Sequence, residues 1–227
     1  HAGFKNAVKV VVPDDTTDVE GDDMRYSVLT YAASEKANAM GPSTIDPRTG
    51  EILEADIIWW HNVQSLISEW IVVQTGAVDS RARSLELPIE LIGDAVRFVA
   101  CHEAGHSLGL RHNMIASAAY PTDSLRSATF TSRMGGTSAS IMDYARFNYV
   151  AQPGDEVKVM SPNIGPYDFM AIEWGYRWYP AGTNEDKVLT DLLAKYQGKE
   201  YRYSETQPQR SAVDPRALSE DLGDDPV

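Results

Sequence analysis

The chain has 227 residues, 43% hydrophobic and 23% charged, which suits an ordinary soluble globular protein with one sizeable domain or two closely packed lobes. A net charge of −13 with no Lys/Arg-rich run argues against nucleic acid as a partner, because nothing would neutralise phosphates. The longest apolar runs, such as "WIVVQTGAV" at residues 70–78, fall short of the roughly 20 residues that span a bilayer, and the single Cys101 rules out an internal disulfide.

The chain starts at His1 and shows no signal peptide, so it is expected to be a piece of a longer polypeptide. "NAVKVVVP" (residues 6–13) and "RYSVLTYAA" (residues 25–33) are β-rich runs. The acidic stretch between them, residues 13–23, does not have EF-hand spacing and reads as a solvated loop. "GPSTIDPRTG" (residues 41–50) carries turn signals, and "EILEADIIWW" (residues 51–60) follows as a further strand. "SLISEWIVV" (residues 65–73) fits helix and strand equally, and "RARSLELP" (residues 81–88) reads as a solvated approach. A long helix is expected from Pro88 through "IELIGDAVRFVACHEAGHSL", with an apolar middle that suggests burial between a sheet and a second lobe. After Asn113 the chain is rich in Ser, Thr, Gly and Ala until "SIMDYARFNY" (residues 140–149). "YDFMAIEWGY" (residues 167–176) and "EDKVLTDLLAKY" (residues 185–196) are helical patterns, and the end of the chain is polar and acidic.

Within the long helix, "HEAGHSLGLRH" places three of the chain's five histidines in eleven residues. His102 and His106 are four apart, so at about 100° per residue they leave one helix face a turn apart, the spacing for two ligands on one ion. On a continuing helix His112 would stand roughly 240° away from His106. Gly109 can end the helix in a left-handed conformation and bring the third imidazole back. Three neutral imidazoles bind zinc and leave a position open for water, the catalytic arrangement. Closure by Cys101 is disfavoured, since it lies about 100° round the helix from His102. Glu103, directly after the first ligand, can take a proton from water at the open position and later pass it to a leaving amine. The five fixed positions of this pattern should coincide by chance about once in 10⁵ chains of this length.

"HEAGHSLGLRH" resembles the zinc-binding signature of the metzincin metallopeptidases. That family has a downstream methionine turn beneath the zinc ligands, and "SIMDY" (residues 140–144) fits it, with Met142 standing 30 residues after His112. The resemblance implies that Met142 floors the site. Tyr144, two residues on, is similar to the tyrosine of the astacin- and serralysin-like branches, which reaches the zinc or stabilises the oxyanion. Overall the chain resembles large bacterial metzincin-like proteins of unknown function, which carry similar "SIMDYARFNY" stretches. The resemblance implies an α/β (α+β) fold, a twisted, mostly parallel sheet over a central zinc-binding helix with a smaller helical and irregular C-terminal lobe. It divides the chain into an upper subdomain at residues 1–112, a lower one at 113–180 and an extension at 181–227. It places an edge strand, along which substrate would lie antiparallel, within residues 37–45, and it implies a secreted, periplasmic or cell-surface protein.

The function expected is therefore a zinc-dependent endopeptidase acting on proteins or peptides. A zinc-containing binding or scaffold domain without turnover, and a zinc amidohydrolase for a non-peptide substrate, stay open on the same residues. His61 is expected to be a packing residue at a strand end, Cys101 an apolar filler, and Trp59, Trp60, Trp70, Trp174 and Trp178 core or lobe-packing aromatics.

Overall fold

The computed structural model describes residues 2–14, 16, 19–21, 23–207, 211 and 213–225. Its strands are β1 (Leu29–Ala32), β2 (Ala39–Met40), β3 (Ser43–Ile45), β4 (Ile52–Ala55) and β5 (Ile57–Trp60). β5 lies centrally in a sheet of order β1-β5-β2, parallel to β1 (Leu29 opposite Ile57) and antiparallel to β2 (Met40 opposite Ile58). β3 and β4 form a separate antiparallel pair.

The mixed α/β class expected from the sequence is found, with β2 as an edge strand inside the stretch foreseen for it. The sheet itself is smaller and less parallel than expected. One reason is Asp56, which divides the run at residues 51–60. Its backbone N–H donates to Pro42 and its carboxylate accepts the Val28 N–H at 2.8 Å, so β4 turns away to pair with β3. The run at residues 6–13 forms no strand, and Val8, Val10, Val11 and Val12 are 73%, 94%, 71% and 85% exposed. β-Propensity describes fit to a half-buried pleated surface, and among the described residues no strand pairs with this one. The acidic stretch at residues 13–23 lies partly outside the described residues, and the part described has neither helix nor strand.

The ambiguous run at residues 65–73 belongs to helix α1 (Val63–Thr75). Val63, Ile67 and Ile71, four apart, are buried together against Trp59, Ala82, Ala95 and Phe147. Burying each large side chain contributes about 1.5–3 kcal/mol, which outweighs the few tenths that each β-branched residue costs a helix. Helix α2 (Ile89–Ser107) starts after Pro88 and packs against α1, β2 and β5, burying Ala95, Phe98, His102, Glu103 and Gly105.

Short helices α3 (Thr122–Leu125) and α4 (Ala128–Met134) follow, then α5 (Pro166–Tyr176) and α6 (Glu185–Leu193). A second core gathers Ala116, Tyr120, Leu125, Ala139 and Ala145 with Leu222 from the chain's end. Residues 202–204 run beside residues 113–114, where the Met114 N–H donates to Ser204 O at 2.8 Å. Trp59 is buried and Trp70 packs on the first core, but Trp174 and Trp178 are 48% and 71% exposed, against expectation. The inward face of α5 is taken by Asp168, Met170 and Glu173, which leaves Trp174 outside. No described helix is long and apolar enough to cross a membrane.

Candidate metal centre

Helix α2 ends in two crossing bonds: Leu110 N–H donates to Gly105 O at 3.0 Å and Gly109 N–H to His106 O at 2.8 Å. Gly109 has φ +81°, the left-handed conformation that this glycine-ended motif requires. The turn does more than stop the helix. It brings the Leu110 carbonyl back to accept the His106 Nδ1–H at 2.9 Å and returns His112 to the same point.

The ring nitrogens of His102, His106 and His112 lie within 4.8 Å of one another, and no other such group of His, Cys, Asp or Glu occurs among the described residues. His102 Nδ1 donates to the Ile141 carbonyl at 2.8 Å. A carbonyl can only accept, so in His102 and His106 the proton sits on Nδ1 and the Nε2 lone pair faces inward. There, His106 Nε2 and His112 Nε2 stand 3.1 Å apart, and His102 Nε2 is buried with no hydrogen-bond partner. Burial lowers His102 to about 3 and His112 to about 4, so both are neutral near pH 7, the form that ligates metal. Imidazole nitrogens converging on one point, that of His102 buried and without a partner, fit a metal ion. Cys101 stands apart, half-buried with Phe98, Ile141 and Met142, and burial pushes its thiol up. His61 is elsewhere, edge-on to Tyr31 at the end of β5.

The loop at residues 140–144 passes directly beneath the helix. Met142 is fully buried, and a Cβ at Gly105 would lie 2.3 Å from its sulfur, so only glycine at position 105 lets this methionine sit there. The Met142 carbonyl accepts the Asn113 N–H at 3.0 Å, joining the loop to the returning chain. The loop is held from below by buried Asp168 at the start of α5. Its carboxylate accepts the Ser140 hydroxyl at 2.6 Å and the N–H groups of Ile141 at 2.8 Å and Gly165 at 2.7 Å.

Glu103 is 7% exposed on the sheet side of α2, and burial raises its carboxyl to about 7, against a smaller opposing pull from the Gly41 N–H. Gly41 follows the edge strand β2. A Cβ on it would meet Glu103 O at 3.0 Å and His106 Cβ at 3.2 Å, so the strand's end approaches α2 as closely as it does because residue 41 has no side chain. The Tyr144 ring lies 5.3 Å from His102 and 4.6 Å from His112 between centroids. Burial raises its phenol, while Arg146 pulls it down and Glu103 pushes it up. The three histidines and Tyr144 thus lie together, with Glu103 next to His102 on α2, Gly109 in the returning turn and Met142 beneath Gly105. Gly41, Gly105 and Asp168 carry no signal in the sequence, because the atoms that each one meets lie far along the chain.

A family model described as Met-zincin matches residues 84–227, which includes α2, the returning turn, the methionine loop and the chain's end. No curated protein and no solved structure matches the chain.

Proposed function

Because the chain belongs to the Met-zincin family, we propose that it is a zinc-dependent endopeptidase working outside the cytoplasm, with His102, His106 and His112 holding the zinc. The observation that carries this reading is the partnerless buried Nε2 of His102, converging with the other two rings beside a buried glutamate. Three imidazoles with no fourth protein ligand among the described residues suit a catalytic ion better than a structural one. When bound, zinc supplies Lewis acidity, which makes a water molecule more acidic and polarises the carbonyl to be cleaved.

Glu103 is the general base and then the general acid in this reading. Its place one residue after His102 keeps its carboxylate at the cluster, where it takes a proton from water and later returns it to the leaving amine. Tyr144 donates its phenolic hydrogen to the oxygen that gains charge as the carbonyl is attacked. The Ile141 carbonyl keeps the His102 ring in place, and Met142 floors the site beneath Gly105. A peptide substrate lies antiparallel along the edge strand β2, whose end approaches α2 at Gly41.

The test is cleavage of denatured casein and a mixed peptide library by the zinc-loaded protein, with Glu103→Ala in parallel. Cleavage by the parent alone, with both proteins holding one zinc, is the expected result. Equal cleavage by the variant would refute the proton-transfer role, and tight zinc binding with no cleavage of either substrate would favour a binding domain.

A further inference from the structure

Arg146 has φ +55° and Glu220 has φ +70°, left-handed backbones that are costly for any residue carrying a Cβ and persist only where the surroundings impose them. These two residues meet. Arg146 Nε donates to Glu220 Oε2 at 2.7 Å and Nη2 to Oε1 at 2.5 Å, a two-pronged pair that fixes the guanidinium plane. The guanidinium carbon lies 4.2 Å from the Trp70 ring centre and 4.4 Å from that of Tyr144, so it stacks on both rings. The Arg146 side chain is only 14% exposed. The Glu220 N–H also donates to the Tyr144 carbonyl at 3.2 Å, so the end of the chain holds this tyrosine at its backbone and, through Arg146, at its ring.

We propose that Arg146, braced by Trp70 and Glu220, is a positioning residue that fixes the Tyr144 ring against His102 and His112. The inference rests on the reading of Tyr144 as the hydrogen-bond donor at the metal site. Trp70 comes from α1 and Glu220 from the far end of the chain, so two distant segments converge on the loop that carries the tyrosine. A cation stacked on an aromatic face in a desolvated place restrains that ring by an energy equivalent to about tenfold in an equilibrium. Arg146 does not reach the ligand in this scheme. Its whole effect passes through Tyr144.

The experiment therefore measures coupling, without turnover. The protein is loaded with Co²⁺ and titrated with acetohydroxamate, followed by the visible spectrum, for the parent, Arg146→Gln, Tyr144→Phe and the double variant. Arg146→Gln should weaken acetohydroxamate binding about tenfold in the parent and have no further effect when Tyr144 is already Phe. Glu220→Gln, on the more exposed side of the pair, should weaken it by about threefold with the same dependence on Tyr144, and it decides the matter if Arg146→Gln does not fold. Unchanged affinity in the arginine variant, or an equal loss with and without the Tyr144 hydroxyl, overturns the proposal. A protein that shows the coupling but cleaves no peptide keeps the positioning role while losing the peptidase reading.

Discussion

Gly105 and Met142 compete for one small volume. Replacing Gly105 by Ala favours the helix by up to about 1 kcal/mol, but the added carbon would stand 2.3 Å from the methionine sulfur. Overpacking of this kind costs about 1–3 kcal/mol, so Gly105→Ala should lower the urea midpoint, and Gly105→Ala with Met142→Ala should recover part of the loss. The reverse outcome, a stabilised single variant, would mean that the loop moves away freely. Residues of this sort explain what could be read from the sequence. The three histidines and Glu103 were legible because their geometry is local, set by helix periodicity and one glycine turn. Gly105 was not, because the atom it avoids is 37 positions along the chain. The same holds for Arg146, whose partners are Trp70 and Glu220.

Among the elements, the methionine loop depends on α5 more than on itself. Asp168 accepts three hydrogen bonds there while 3% exposed, and a buried donor left without its acceptor costs about 1–3 kcal/mol. Asp168→Ala should therefore lower stability by about 3 kcal/mol or more. It should also weaken zinc about 10–100-fold in a chelator competition, because the Ile141 carbonyl that orients His102 moves with the loop. Unaltered zinc affinity at lowered stability would separate the loop from the ligands. Sequence patterns served unevenly at this scale. Helix α2 was legible from its apolar middle and its Pro and Gly ends, whereas α1 needed tertiary burial to outweigh its β-branched run. The β-rich run at residues 6–13 shows the converse, a strong local preference with no neighbouring strand to satisfy it.

For the whole molecule, the centre opposes folding at both ends of the pH scale when no metal is bound. His102 and His112 fall from 6.5 to about 3 and about 4 on burial, so they favour the fold above 6.5 and that contribution is lost as the pH drops towards those values. Glu103 rises from 4.5 to about 7, so its contribution is complete below 4.5 and is lost as the pH climbs through about 7. Burial raises Asp221 in the same direction, to about 6. Thermal melts in EDTA should accordingly decline above about pH 6.5 and again below about pH 4, with Glu103→Gln flattening the alkaline limb. A monotonic profile would contradict the burial of these groups. The arrangement of the three rings also bears on biosynthesis. All of them are present once residue 112 has emerged from the ribosome, whereas the carbonyl that aligns the first ring arrives with residue 141 and the hydroxyl beside the third with Thr206. A nascent chain can thus capture a metal ion early and loosely, and grip it firmly only after those later residues have emerged.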